Sequence, residues 1–305
     1  VNPMLNTLGG GGNKGNQLIQ LGGSLNSLAA TIVPVFVGYL MGDVASARIS
    51  DANPALFIAM AIFALAFVII FFSAIPEPEL EAAKAAPAKE SEGVVASVKG
   101  ALSHNNLLFG IIAIFVYVGV EVGIPNIANL YMTSGAERGG LGIATGTAGT
   151  IVGLYWLLML CGRLVGGALG GKISSKHMMT GVSSVAILLV ILGILIPESA
   201  VISLGALADG AVVPVKILCF VLCGLCTSVM WGSIFNLAVE GLGKYTSIAS
   251  GVFMVMVCGG GILPYFQGLL ADVTSFVSSY WLIVVALGYM LCYTLFLSKP
   301  SPEEE

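Results

Sequence analysis

At 305 residues, with 57% hydrophobic side chains, only 9% charged ones and a mean hydropathy of +0.99, the chain lies outside the range of water-soluble domains, in which about a quarter of residues are charged. The formal net charge of −4 is small and partly set by Glu303-Glu304-Glu305, which excludes a polybasic nucleic-acid surface. All six cysteines fall inside apolar stretches, so neither a disulfide framework nor a metal or cofactor is expected.

The opening Val1 to Leu8 is apolar enough to be the last turns of a helix begun upstream, and the chain is expected to be a fragment. Gly10-Gly11-Gly12-Asn13-Lys14-Gly15 satisfies G-x-G-x-x-G, yet a membrane span follows it and no strand precedes it, so a dinucleotide reading fails on context. The apolar stretch from Gln17 to Met41 is the first complete span expected. Along it Asn16, Gln20, Ser24, Ser27 and Thr31 form a polar stripe at helical spacing, with Asn26 well off it. A second span runs from Pro54 to Ile75.

Residues 76–105 form the one long polar segment, containing LEAAKAAPAKESE and ending in a short amphipathic helix from Val94 to Leu102. Between Leu107 and Leu297 follow six apolar stretches of about 19 to 28 residues, each long enough to cross a hydrocarbon core about 30 Å thick. Two spans before the linker and six after it give eight. The pattern is that of a twelve-helix, six-plus-six protein entered near the end of its fourth helix.

Lys14, Lys84, Lys89, Lys99, Lys172, Lys176, Lys244 and Lys299 fall in alternate connections, whereas the intervening ones carry Arg48 and Arg138. By the positive-inside rule the lysine-bearing segments and the C-terminus face the cytoplasm. The expected organisation is therefore the end of an N-terminal bundle at 1–75, a cytoplasmic linker at 76–105, a six-helix bundle at 106–298 and a cytoplasmic tail at 299–305.

Within the spans, Gly162, Gly166 and Gly170 recur every fourth residue, as do Gly119 with Gly123 and Gly149 with Gly153. Small residues at that spacing let helix backbones approach closely in lipid. Gly259-Gly260-Gly261 with Pro264, and Pro125, mark breaks of the kind tolerated where freed backbone groups face protein or a cavity. Cys219, Cys223 and Cys226 share a face with Met230, which reads as small apolar packing. His104 and His177 lie near helix ends, which argues against a histidine-based catalytic centre.

The polar residues inside the spans carry the functional reading. Glu121 is near mid-span, where a carboxylate costs about 2.5 to 3.5 kcal/mol on insertion scales, so it must face a partner or water. Tyr117 is one turn earlier on the same face. Asn126 and Asn129 follow Pro125. Arg163 and Lys216 are nearer helix ends and read as snorkelling side chains. Trp231, Asn236 and Glu240 run along the cytoplasmic half of the span from Val213 to Val239, where the indole is suited to stacking on a sugar ring or to interior packing.

The strings NPMLNTLG from Asn2, LNSLAATIVPVFVGYL from Leu25, YVGVEVGI from Tyr117, YWLLMLCGRLVGG from Tyr155, SVMWGSIFNLAVEGLGKYTSIASG from Ser228 and GGGILPYFQGLLAD ending at Asp272 resemble the major facilitator superfamily. Within it they are most similar to the fucose/galactose/glucose:proton symporters. The resemblance implies an all-α membrane protein that alternates a central sugar site between the two faces, driven by protons, in a bacterial inner membrane. The chain would hold eight complete helices plus the end of a preceding one.

In that family an asparagine within LNS of the fifth helix belongs to the sugar cavity and matches Asn26. Periodicity instead favours the stripe through Gln20 and Ser27, and the resemblance is given precedence. The residues expected to line the path are Asn26, Glu121, Asn126, Asn129, Trp231, Asn236 and Gln267, with Glu121 the candidate for proton coupling. The family's proton-linked carboxylates on its first and fourth helices would lie upstream of Val1. The expected partners are a small sugar, protons, the lipid bilayer and the N-terminal helices of the same protein. A transporter of another solute, such as a drug or organic anion, is the alternative, followed by a membrane enzyme or sensor, which lacks a cluster of nucleophile, base or metal ligands.

Overall fold

The computed structural model describes residues 4–5, 9–10, 12–41, 50, 53–73, 93–205 and 210–299, with side chains described at all of these except 12, 30, 33–41 and 94. The helices in chain order are α1 (Gly12–Met41), α2 (Asn53–Phe72), α3 (Val94–Leu102), α4 (Asn105–Thr133), α5 (Thr145–Leu169), α6 (Ser175–Leu195), α7 (Val215–Thr227), α8 (Met230–Val239), α9 (Thr246–Val255), α10 (Gly259–Val273) and α11 (Tyr280–Cys292), the last extended by a π turn at Tyr293–Leu297. A two-stranded antiparallel ribbon, β1 (Val201–Ser203) with β2 (Val212–Pro214), joins α6 to α7 and pairs Ile202 with Val213. The opening residues 1–3 and 6–8, most of the linker and the acidic tail lie outside the described residues.

Among the described residues seven helical spans are long and apolar enough to cross a membrane: α2, α4, α5, α6, α7 with α8, α9 with α10 and its preceding turn, and α11 with its π turn. The expected first span, α1, forms as a 30-residue helix but is not one of the seven. The short helix expected after the linker is α3, residue for residue.

Two compact units emerge: residues 1–29 with 95–305, and residues 30–94. In the second unit α2 has no buried residue at all. In the first, α4 is the axis, packed against α5, α7, α8, α10 and α11. Its glycines explain why. A Cβ at Gly119 would collide with the Leu263 side chain, one at Gly123 with the Gln267 amide, and one at Gly110 would sit 2.5 Å from Ala238 Cβ. Gly162 and Gly166 likewise receive Ser228 and Val229 of the helix break between α7 and α8, and Gly224 lies against the Tyr155 carbonyl. Gly149 and Gly153 differ from the expectation: nothing lies within 4 Å of a Cβ at either, so their spacing marks no helix contact here.

One of the two breaks suggested by the sequence forms and the other does not. Pro125 leaves α4 continuous. A proline lacks the N–H that would bind the carbonyl four residues earlier, here Glu121, and the Tyr155 hydroxyl donates to that oxygen at 3.1 Å. The glycine triplet does coincide with an interruption, a 3₁₀ turn at Met256–Cys258 between α9 and α10, with Gly259 pressed on the Phe115 carbonyl. A further break, not expected from the sequence, separates α7 from α8 at Ser228–Val229.

Aromatic packing and hydroxyl ties complete the first unit. Phe220 and Tyr280 stack with centroids 3.7 Å apart. The hydroxyls of Tyr280, Tyr289 and Tyr293 donate to the carbonyls of Ile124, Phe109 and Asn106 at 2.7, 3.0 and 3.2 Å, tying α11 and its π turn to α4. The Asn106 amide in turn donates to the carbonyls of Leu237, Ala238 and Glu240, which end α8 and have no intrahelical donor.

Candidate functional site

At the break between α7 and α8 three successive carbonyls in the interior of the first unit each accept a side chain from a different helix; Thr227 O and Ser228 O receive no backbone donor, while Val229 O also keeps the Ser233 N–H at 3.2 Å. The Tyr117 hydroxyl of α4 donates to Thr227 O at 3.1 Å, Arg163 Nε of α5 to Ser228 O at 3.3 Å, and Gln20 Nε2 of α1 to Val229 O at 2.7 Å. Interrupted backbone at membrane depth is stable only when protein groups replace the lost bonds. Tyr117 and Arg163 do so at Thr227 O and Ser228 O.

Arg163 is the hub of this centre. Besides Ser228 O, it donates through Nη1 to Gly23 O of α1 at 2.8 Å and through Nη2 to Glu121 Oε1 of α4 at 3.1 Å. The side chains of Arg163 and Glu121 are 6% and 12% exposed. The arginine therefore does not snorkel, as its place in the sequence suggested. Its stem is buried, and its forked donors meet one carboxylate and two carbonyls, a geometry an ammonium cannot match. Tyr155 closes the ring, its hydroxyl 3.0 Å from Thr227 Oγ1 as well as bound to Glu121 O.

Lys216 departs from expectation in a similar way. It sits in the first turn of α7, but its side chain is only 5% exposed and Nζ reaches Glu198 Oε1 at 3.7 Å. The same carboxylate oxygen accepts the Tyr131 hydroxyl at 2.7 Å. Sequence spacing showed both cations near helix ends but not the carboxylates that meet them, since each partner lies on another helix or loop.

The residues expected to line a path do not converge on one surface. Glu121 is in the central cluster. Gln267 is fully buried beside Gly123, and neither of its amide atoms has a hydrogen-bond partner. Trp231 stacks on Phe235 at 5.5 Å and meets Phe253 edge-on, so it is part of an aromatic cluster. Asn236 donates to Ser175 Oγ at 3.0 Å and lines a cavity of about 260 Å³ with Asn13, Lys176, Glu240 and Lys299. Asn126 is exposed and Asn129 half-buried. On α1 the stripe Asn16, Gln20, Ser24 and Ser27 is buried, whereas Asn26 is exposed.

The sequence reading missed Arg163, Tyr155, Thr227 and Ser228 as members of the centre. The adjacent hydroxyls Thr227-Ser228 after a run of small apolar residues were a signal, because such side chains bond back to their own helix. Thr227 Oγ1 donates to Cys223 O and Ser228 Oγ to Leu225 O. Cys219, Cys223 and Cys226 are buried free thiols in the apolar core. Among the described residues no group of His, Cys, Asp and Glu could hold a metal ion.

Seven membrane-length apolar spans among the described residues, with interrupted helices and a buried ion pair at one break, define a polytopic helical membrane protein. The Major Facilitator Superfamily profile matches residues 18–263, and the chain belongs to that superfamily, whose members are transporters and not enzymes. It is 28% identical over 279 residues to a glucose/galactose transporter of Brucella abortus biovar 1 (strain 9-941), an alignment covering 90% of this chain and 62% of that protein. The chain thus spans less than two thirds of that relative's length. Its fold is similar to the crystal structure of FucP in the outward conformation, with a TM-score of 0.73, 17% identity, and coverage of 94% of this chain and 69% of the other. A structure of the E. coli fucose:proton symporter FucP gives the same TM-score and identity, with 94% and 70% covered.

Proposed function

We propose that this chain is part of a secondary transporter of the bacterial inner membrane that carries a small sugar, a hexose or 6-deoxyhexose, together with protons by alternating access. The observation that carries the reading is the superfamily match over residues 18–263, joined to a relative named for glucose and galactose that aligns over 90% of the chain. The buried Glu121–Arg163 pair supports it, since an intramembrane carboxylate held at a helix break marks substrate or ion pathways by default.

In this reading the chain supplies eight complete helices and the end of a preceding one. Residues 1–75 close an N-terminal bundle, 76–105 link it to the six-helix bundle of 106–298, and 299–305 form the tail. Asn26, Glu121, Asn126, Asn129, Trp231, Asn236 and Gln267 line the path, and Glu121 responds to protons. The exposure of Asn26 and Asn126 leaves both amides available to a ligand.

Uptake by proteoliposomes tests the reading. Under an imposed proton gradient the chain alone is expected not to accumulate labelled glucose or galactose, whereas co-reconstitution with the N-terminal helices of the Brucella relative is expected to restore accumulation. Sugar accumulation by the chain alone would overturn the eight-helix organisation. Accumulation of an organic anion in place of sugar would favour the other solute class. Orientation is tested separately by labelling in intact cells: tags at Glu305 and within residues 80–90 are expected inside, and one near Asp209 outside.

A further inference from the structure

We propose that Arg163 is a positioning residue, a charge-keyed staple that holds α1 on the six-helix bundle only while Glu121 is ionised, so that neutralising Glu121 loosens α1. This deepens the proposed function and rests on Glu121 as its proton-responsive group. Three observations carry it.

First, one guanidinium joins three elements: Glu121 of α4, the Ser228 carbonyl at the break and the Gly23 carbonyl of α1. Second, the carboxylate is the one anionic contact of that guanidinium among the described residues, and its pull fixes the plane in which the remaining donors reach Gly23 and Ser228. Third, α1 meets the same region by close packing beside that staple. Gln20 Nε2 binds Val229 O, while Asn16 Nδ2 is buried without a partner. Around them Leu21 packs on Gly167, Gln17 on Gly170, and Ile19, a member of the hydrophobic core, on Gly232.

The titratable and charged groups facing Glu121 are Tyr117 on its own helix and Arg163 and Tyr155 on α5, with no cation besides Arg163 among the described residues around it. Neutralising Glu121 therefore leaves Arg163 without its only counter-charge. A buried guanidinium so left moves toward water or another acceptor, and the Gly23 bond goes with it.

Disulfide trapping tests the staple. In the chain with Cys161, Cys258 and Cys292 replaced by serine, the pair Leu21→Cys and Gly167→Cys reports α1 against α5, because a Cβ at Gly167 lies 3.1 Å from Leu21 Cγ. The pair Gly119→Cys and Leu263→Cys reports the integrity of the bundle between α4 and α10. Linked peptides are quantified by mass spectrometry after mild oxidation in membranes.

The 21–167 link is expected to form rapidly in the parent and at least fivefold more slowly in Glu121→Gln and in Arg163→Gln, with the double variant no slower than the slower single. The 119–263 link is expected to be unchanged throughout. A parental rate of 21–167 linking in Glu121→Gln overturns the charge key, and a parental rate in Arg163→Gln overturns the staple itself. If a glutamine variant also loses the 119–263 link, Arg163→Lys decides: it keeps the charge for Glu121 but not the fork, so slowed 21–167 linking with intact 119–263 linking supports the staple, and parental linking of both refutes it. Sugar uptake does not enter the readout, so this inference and the sugar reading can fail independently.

Discussion

Helices α2 and α4 are both apolar enough to span a bilayer, and they end in opposite circumstances. α2, NPALFIAMAIFALAFVIIFF, is the more apolar of the two and contributes no buried residue. α4 carries glycines, an internal proline, a carboxylate and two tyrosines, and most of one face and much of another are buried. In lipid, apolar side chains gain nothing by leaving the hydrocarbon for another helix, so the packing of α4 rests on small residues that permit close approach and polar groups that need partners. What makes α4 costlier to insert makes it the axis of its unit.

The largest test of that contrast is the charge. Glu121→Ala leaves Arg163 buried without a counter-ion and is expected to cost about 3–5 kcal/mol, seen as a large fall in the unfolding midpoint in detergent. A fall no larger than that of an ordinary surface substitution would show that Arg163 escapes to water and that the pair does not organise the break.

Next comes close approach. Gly224 and Gly259 lie on the backbone carbonyls of Tyr155 and Phe115, which cannot rotate aside as a side chain can. Gly224→Val and Gly259→Val are expected to cost about 1–3 kcal/mol or more through overpacking, measured by the same unfolding curves. Tolerance at both would mean that the helices part there without loss.

Gln267 offers an effect of opposite sign. A buried amide without a partner carries a desolvation penalty of about 1–3 kcal/mol, so Gln267→Met is expected to raise stability while lowering sugar affinity in a binding titration. A gain in stability with unchanged affinity would remove Gln267 from the path.

The smallest effects complete the comparison. Gly149→Ala and Gly153→Ala meet open space, and Phe63→Leu changes an exposed face of α2. All three are expected to move unfolding by no more than about 0.5 kcal/mol. A clear loss at Phe63 would show that α2 packs on something after all.

Much of the architecture was legible in the sequence because it depends on properties that are additive along a chain. Apolar length set the spans, and the superfamily strings set their order. Helical period put Asn16, Gln20, Ser24 and Ser27 on one face of α1, and that face is the buried one. The three-carbonyl break and its ligands were not legible. Thr227, Ser228 and Val229 are adjacent, but Tyr117, Arg163 and Gln20 arrive from three helices at separations of 110, 65 and 209 residues, and no local pattern records such a meeting.

Composition and apolar length by themselves determined that this is a polytopic helical membrane chain, because a bilayer admits helices whose backbone bonds close within the segment. Only the tertiary structure decided which charges are neutralised and where. Arg163 and Lys216 look in sequence like cations within reach of water, and each is instead buried against a carboxylate from another element. Whether a charge near a helix end turns outward or inward depends on the free energy of a partner across space, and that partner exists only once the helices have packed.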